Sequence, residues 1–430
     1  MARLPLRGAD LVLLAMPALH KRARISNNAL LAVDCDGPVD AGRLRRALDR
    51  FLDVCPWPAA RLRRSFPWGR LHWAAGRRER LIPPPIRRAT AHSHEALHAE
   101  LEAELNAAID ARRDPLVRFA IIDHPGADGG VAGVFAMTWF HPLMDPRGGQ
   151  NLLGHLARLD EDPAWQPSPA GMVSPRDDRP LRERGQIARA SLAYMRTLAS
   201  SPIVSPGTGL STPGPARFRV DSVDAPAPRS ATREIAWRLA VVGRAMAELW
   251  RRRRLPADDP FLVAVAVDVR PKGEPGPTFG NALAFHFARF TPAETRDPGA
   301  LARRLRRQMA DALRDGQIQA NQVAMEFLHY RPISMMLREM PGAARAETFS
   351  FNCADVGAFP SADTRIFGRR VANAYHVPAV SPRPGVGVFF NRCGAVTNII
   401  TSWIDGAVTA QEVAEIVDSV RRDMGWTARG

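Results

Sequence analysis

The sequence contains little lysine and cysteine, and it lacks any long apolar run. Lysine occurs only at positions 21 and 272, so all but two of the 59 basic residues are arginine. The four cysteines form no CxxC pair, and four in 430 residues are too few for a disulfide framework. Free thiols of this kind are typical of the reducing cytoplasm, where we expect the protein to act. No segment approaches the roughly 20 apolar residues of a transmembrane helix, so none is expected.

The sequence also lacks several functional motifs, and these absences argue against particular ligands and reactions. There is no zinc-ligand spacing, no helix-turn-helix signal and no basic stripe interleaved with aromatic residues, so nucleic acid is not an expected partner and no metal is expected. Neither a Gly-rich phosphate loop nor a Gly-x-Ser-x-Gly elbow is present, which argues against serine hydrolysis of the α/β-hydrolase type. The net charge of +15 is carried by arginine. Arginine binds oxyanions bidentately, which suits coenzyme A or an acidic carrier protein.

The chain is long enough for two hydrophobic cores, so we predict two domains. The Pro- and Ser-rich stretch DPAWQPSPAGMVSPRDDRP (162–180) breaks the helical and strand periodicity and is the best boundary. The predicted domains are therefore 1–175 and 176–430. Helical and strand patterns alternate in both, which predicts an α/β (α+β layered) fold for each.

Local patterns predict individual elements. Asp40 precedes apolar residues at helical spacing, which predicts a helix with Asp40 as its N-cap. The last helix is expected to open with a capping box of Thr409 and Glu412. Apolar runs bounded by turn signals predict strands at 116–123, 131–140, 261–269 and 281–290.

The stretch MTWFHPLMDPRGGQNLL (137–153) carries the main candidate chemistry. An apolar strand stops at His141, and Asp145 follows four positions later, before a helix. Pro142 and Pro146 disfavour helical backbone at these two residues, so the imidazole can face a cleft while the carboxylate turns into the fold. A buried carboxylate needs a partner, preferably arginine. The bare HxxxD spacing arises by chance in roughly one of two such chains, so a histidine in an ordinary turn is the alternative.

The segment FHPLMDPRGG resembles the HHxxxDG motif of the coenzyme A-dependent acyltransferase superfamily. This superfamily includes chloramphenicol acetyltransferase, the condensation domains of nonribosomal peptide synthetases and the wax ester synthase/diacylglycerol acyltransferases. Further segments resemble family elements in the family's order over nearly the whole chain: LPLRGADLVLL, DPLVRFAIID, VDVRPKGEPGPTFGN, SFNCADVG and GAVTNIITSWIDGAVTAQEVAEIVDSV. The implied fold is two chloramphenicol-acetyltransferase-like domains in a V with a central substrate channel, which donor and acceptor would enter from opposite faces.

The resemblance also implies roles for individual residues. His141 matches the catalytic histidine, a general base that removes a proton from the acceptor. Asp145 matches the structural aspartate of the motif, and Arg270 in the segment DVRP is its expected partner. For the Gly-Asn element, a loop end before a strand is an equally good interpretation, and the Ser-Asn match is loose because the sequence reads SFN. These two elements supply the candidate substrate-binding residues Gly280, Asn281, Ser350 and Asn352.

Two positions depart from the family motif. Phe140 stands where the family has its first histidine, which is mostly structural there. Pro146 stands where the family has a glycine. If that glycine needs a positive φ, proline cannot supply it, and the turn would be rebuilt around Gly148 and Gly149.

The leading hypothesis is an acyltransferase that condenses an acyl thioester with an alcohol or amine by direct transfer. The donor is an acyl-CoA or an acyl-carrier protein, and no cofactor or metal is bound. The segment LPLRGADLVLL favours the ester-forming, wax-ester-synthase-like branch. A non-catalytic condensation-like domain that binds a carrier protein or assembly partner is the alternative from another class. Ester hydrolysis or cyclisation on the same framework and peripheral contact with a membrane also stay open.

Overall fold

The computed structural model describes residues 2–16, 26–65, 69–77, 81–126, 129–167, 179–198, 203–225, 231–256, 258–270, 279–330, 347, 349–359, 364–427 and 429. The strands of this part are β1 (Ala2–Pro5), β2 (Asn28–Cys35), β3 (Arg61–Arg64), β4 (Leu71–Ala75), β5 (Ile86–Thr90), β6 (Val117–Pro125), β7 (Val131–Phe140), β8 (Ala216–Asp224), β9 (Phe261–Asp268), β10 (Leu283–Phe290), β11 (Asn352–Phe359), β12 (Arg365–Ile366), β13 (Arg369–Val377), β14 (Val386–Cys393) and β15 (Val396–Ile404). The helices are α1 (Gly8–Ala15), α2 (Ala41–Val54), α3 (His94–Asn106), α4 (Pro146–Glu161), α5 (Leu181–Leu198), α6 (Ala231–Arg252), α7 (Pro298–Arg314), α8 (Gln317–Glu326) and α9 (Ala410–Met424).

Helices α2 and α9 begin where the sequence predicts because side chains cap them. The Asp40 carboxylate accepts hydrogen bonds from the N–H groups of Gly42 (2.7 Å) and Arg43 (3.2 Å). Thr409 and Glu412 form the predicted capping box of α9. The apolar stripe of α2 is buried and consists of Leu44, Ala47, Leu48, Phe51 and Leu52.

The predicted strands are present as β6, β7, β9 and β10, and the largest sheet explains the apolar character of β6 and β7. It has six strands in the order β12-β13-β2-β7-β6-β5. Strand β7 is central, with antiparallel neighbours β2 and β6 on its two sides. A central strand covered on both faces has no side open to water, so its sequence reads as a continuous apolar run. Strand β7 ends at Phe140, so the next residue, His141, lies where the central strand of this sheet ends.

Two main cores flank the sheets. One packs α2 and α4 against the six-stranded sheet, and the other packs α6, α7 and α9 against a four-stranded sheet of order β11-β14-β15-β8. Strands β12 and β13, from the second half of the chain, complete the six-stranded sheet beside β2. The expected mixed α/β architecture is confirmed. The predicted boundary between residues 175 and 176 lies outside the described residues and stays a prediction.

Candidate active site

The turn after β7 presents His141 in front of α4. Residues His141–Leu143 form a single 3-10 turn, and Asp145 is the N-cap residue of α4. The Oδ1 atom of Asp145 accepts a 2.8 Å hydrogen bond from the N–H of Gly148. Pro146 is the first residue of the helix, where the fixed φ of proline and its missing N–H are tolerated. The conflict expected at Pro146 therefore does not arise.

Gly148 and Gly149 serve close packing rather than a rebuilt turn. Both are helical, and neither has a left-handed φ. A Cβ on Gly149 would lie 3.0 Å from the ring of Trp139, and one on Gly148 would lie 3.2 Å from the carbonyl oxygen of Gly280. Trp139 is fully buried, and its indole N–H donates to the Met144 carbonyl at 2.8 Å. The first turn of α4 therefore sits directly on β7 and on the loop before β10.

The structure pairs Asp145 with Arg270, as expected from the motif. Asp145 is 1% exposed, and an Nη2 of Arg270 donates to its Oδ1 at 2.8 Å. The second oxygen, Oδ2, accepts from the N–H of Ala282 at 2.9 Å. Burial lowers the pKa of Arg270, but the carboxylates of Asp145 and Asp268 outweigh it and raise the pKa above its ordinary value. The guanidinium thus stays charged beside a carboxylate whose two oxygens are both engaged.

Gly280 and Asn281 lie behind the turn rather than at a substrate surface. Gly280 has φ of +60°, a left-handed conformation that suits glycine, and its carbonyl accepts from Arg270 at 3.0 Å. The Nδ2 of buried Asn281 donates to the carbonyl oxygens of His141 (3.3 Å) and Pro142 (3.0 Å). Neither residue lines the cavity next to His141, so the predicted contacts with substrate are not supported. Both residues instead support the turn that carries His141.

A cavity of about 450 Å³ lies against this turn. Its wall combines α1 and the His141 turn from the first half of the chain with β9, β10, α8 and β11 from the second half. Its volume falls within the range of about 300–1,000 Å³ that small-molecule sites occupy. Most of the lining side chains are apolar, among them Leu13, Leu192, Met195, Phe285, Phe287 and Met325.

His141 is half-buried and lines this cavity. Its Nδ1 is buried and has no hydrogen-bond partner of good geometry among the described residues, so we expect Nε2 to be the ring nitrogen that meets a substrate. Burial lowers the pKa of His141, and the nearby backbone carbonyls and the Asp145 carboxylate oppose this only in part. The imidazole is therefore mostly neutral at pH 7, the form in which histidine accepts a proton.

The two polar residues of SFN have different positions. Asn352, the first residue of β11, lines the cavity. Ser350 is fully buried, and its Oγ accepts from the N–H of Leu262 at 3.2 Å. Its own N–H donates to the Leu262 carbonyl at 2.8 Å. These bonds tie Ser350 to the start of β9, so the predicted contact with substrate is not supported for this residue.

Two polar residues near His141 were not singled out from the sequence. Asn27 lines the cavity, and its carbonyl accepts from the N–H of His141 at 2.8 Å. Asp10 is buried in α1, and burial raises its pKa to about 7 despite hydrogen bonds from Arg7 and Asn281. The available signal was an aspartate at the head of the apolar run LVLLAM, where an unpaired carboxylate would be costly.

A second cavity, of about 460 Å³, lies between α4 and the end of β11. Its polar lining residues are Arg147, Gln150, Asn151, His155 and Arg158. Arg147 also lines the cavity at His141, so the two cavities share this residue. One of its guanidinium nitrogens donates to Gln150 at 2.9 Å.

No family model and no curated protein matches the sequence. Solved structures match almost the entire chain. The starter condensation domain of rhizomide synthetase RzmA, in a mutant form with C8-CoA and Leu-SNAC, is 14% identical with a TM-score of 0.68, covering 98% of this chain and 94% of that chain. The trichothecene 15-O-acetyltransferase TRI3 from Fusarium sporotrichioides is 13% identical with a TM-score of 0.70 and the same coverage. The first condensation domain of the calcium-dependent antibiotic synthetase, with substrate analogue 2a, is 16% identical with a TM-score of 0.67, covering 99% and 96%.

These identities are low, so the matches establish the fold and leave the reaction to the chemistry of the site. Within the described residues, no helix has both the length and the apolar character to cross a membrane. The expected V of two lobes matches the two-lobed condensation domains. The chain therefore has the chloramphenicol-acetyltransferase-like fold that condensation domains share with coenzyme A-dependent acyltransferases.

Proposed function

We propose that the protein is an acyltransferase that moves an acyl group from a thioester to a hydroxyl or amine, with His141 as the general base. The observation that carries this proposal is the setting of His141. Its ring lines an apolar cavity walled by both halves of the chain, next to the buried pair of Asp145 and Arg270. A non-catalytic condensation-like domain needs neither an open cavity at this histidine nor a neutral imidazole. The geometry therefore favours the enzyme.

The proposed reaction needs one base that later acts as an acid. Neutral His141 accepts the proton of the acceptor hydroxyl or amine through Nε2 while the acceptor attacks the thioester carbonyl carbon. The new C–O or C–N bond leaves an oxyanion on a tetrahedral carbon. When the carbonyl re-forms, the C–S bond breaks and the departing sulfur takes the proton from the imidazolium. The products are an ester or amide and a free thiol, and a base of this kind contributes about 10²- to 10⁴-fold in rate.

The neighbouring residues support this base without exchanging protons. Both oxygens of Asp145 accept N–H donors, so the carboxylate anchors the start of α4 and the Arg270 side chain. Asn281 holds the carbonyl side of the His141 turn. Asn352 lies on the cavity wall, and its amide N–H₂ is the candidate donor to the oxyanion.

The cavity also bears on the substrates. Its apolar wall fits an uncharged hydrocarbon group of the donor or the acceptor. A mutant of the RzmA domain was crystallised with C8-CoA, which supports an acyl-CoA donor. The similarity to a condensation domain of the calcium-dependent antibiotic synthetase supports a carrier-bound donor equally. The second cavity, which shares the lining residue Arg147 with the first, supports separate approaches for donor and acceptor.

Thioester consumption by the purified protein tests the proposal. Acyl-CoA donors of graded chain length are offered with mixed alcohols and amines, and thiol release and product masses are followed. We expect wild type to release thiol with a new ester or amide mass, and His141→Ala to lose at least about 100-fold of this rate. His92→Ala, which removes an exposed histidine elsewhere, is the matched control and keeps the wild-type rate. Undiminished activity of His141→Ala refutes the proposal.

Other outcomes separate the alternatives. Release of free acid in place of an ester or amide identifies a hydrolase on the same framework. If no CoA donor reacts, the assay is repeated with acyl-loaded carrier protein. Silence of wild type with both donor types favours the non-catalytic domain.

A further inference from the structure

The backbone of His141 is connected to α1 on both of its sides. Its N–H donates to the carbonyl of Asn27 at 2.8 Å, and the Nδ2 of Asn27 donates to the carbonyl of Leu13 in α1 at 2.9 Å. Its carbonyl accepts from the Nδ2 of Asn281 at 3.3 Å, and the same Nδ2 donates to the carboxylate of Asp10 in α1 at 2.8 Å. Each connection crosses a single asparagine.

We propose that Asp10 is a positioning residue for His141, acting through Asn281. We name this connection the Asp10–Asn281 bridge. The inference rests on the proposed function, because it assigns Asp10 to the support of the same general base. Asp10 does not line the cavity, so it acts on the histidine and not on the substrate.

Asp10 is the acceptor that connects the side chain of Asn281 to α1. All the hydrogen bonds of the Asn281 side chain with described residues leave from Nδ2, and its Oδ1 is buried without a described partner. The three acceptors at Nδ2 therefore set the position of the amide. Asp10 is the one side-chain acceptor among the three at Nδ2, and its hydrogen bond of 2.8 Å is the shortest of the three. Without Asp10, Nδ2 keeps only the two carbonyl acceptors of the turn, and Asn281 no longer connects that turn to α1.

Helix α1 is a firm base for such a bridge. The other oxygen of Asp10, Oδ2, accepts from the N–H of Arg7 at 2.8 Å, so the carboxylate cannot rotate freely. The N–H of Gly8 donates to Glu326 in α8 at 2.9 Å. A Cβ on Gly8 would lie 2.3 Å from the backbone of Met325, so α1 and α8 are in direct backbone contact. The restraint on His141 thus extends from the second half of the chain through α1.

A double-mutant cycle tests the bridge. We expect Asp10→Ala and Asn281→Ala each to lower kcat about 10-fold or more, because a displacement of about 1 Å at the reacting group costs up to about 100-fold. The double variant falls no lower than the worse single variant, because both changes remove the same connection. KM changes little in each, and Asp10→Asn, which keeps one acceptor oxygen, recovers part of the loss. Additive losses, or a change confined to KM, overturn the inference.

Leu11→Ala is the matched control for stability. Leu11 is buried in α1 next to Asp10 but takes no part in the bridge. We expect it to lower the free energy of unfolding and to retain kcat. A loss of kcat equal to that of Asp10→Ala would show that any damage to α1 suffices, which contradicts a specific bridge.

Backbone hydrogen exchange tests the bridge without any substrate. Peptides that span residues 138–146 exchange faster in Asp10→Ala than in wild type, whereas Leu11→Ala leaves them unchanged. Asp10→Asn serves the same measurement if Asp10→Ala does not fold. If His141→Ala keeps full activity, the proposed function is refuted, but the hydrogen-exchange result still supports or refutes the bridge. Unchanged exchange in both Asp10 variants overturns the bridge itself.

Discussion

Replacing Arg270 by methionine removes the ionic partner of a buried carboxylate, and the contacts give the size of the effect. The side chains of Asp145 and Arg270 are 1% and 12% exposed. Removing one partner of a buried ion pair costs about 3–5 kcal/mol, because the other charge is left buried. Asp145 keeps two backbone N–H donors, from Gly148 and Ala282. We therefore expect a loss near the low end, about 3 kcal/mol.

Urea denaturation of four proteins measures this loss: wild type, Arg270→Met, Asp145→Asn and the double variant. The double variant leaves neither charge unpaired, so its loss is smaller than the sum of the single losses by about 1–3 kcal/mol. Arg88→Met is the control, because it breaks the ion pair with Asp123 in which the arginine is 64% exposed, and it costs less than about 1 kcal/mol. A loss below about 1 kcal/mol in Arg270→Met, or additive losses in the double variant, would refute the reasoning.

Three further predictions concern the turn and the cavity. Burial lowers the pKa of His141, and the neutral ring is the base, so we expect kcat/KM to fall with acid only below pH 6.5, the ordinary pKa of histidine. A pH–rate profile in which kcat/KM already falls above pH 6.5 contradicts this. Pro146→Gly keeps activity and lowers the free energy of unfolding by about 0.4–1 kcal/mol, measured in urea, whereas a gain in stability contradicts the helical role of this proline. Ala264→Phe fills part of the cavity and shifts the product masses toward shorter acyl or acceptor groups; an unchanged product distribution contradicts substrate binding there.

The sequence by itself determined the helix caps and strands, which depend on residues that are close together in the chain. Asp40 caps a helix through N–H groups two and three positions away, so the pattern of a few residues is sufficient. The strands expected at 116–123 and 131–140 are present as β6 and β7, because a central strand needs apolar side chains on both faces. The ordered family-like segments also predicted the two-lobed fold and the partner of Asp145, although Arg270 is 125 residues away along the chain.

Only the tertiary structure decided how the candidate site is assembled. Pro146 looked incompatible with the motif turn, yet the fold makes it the first residue of a helix. Asn281 looked like a substrate ligand, yet its three acceptors lie 139 to 271 residues away and place it behind His141. The Oγ of Ser350 likewise accepts a hydrogen bond from the backbone N–H of Leu262. A sequence shows which groups can form hydrogen bonds, but the direction in which a loop turns them depends on packing between elements that are distant in the chain.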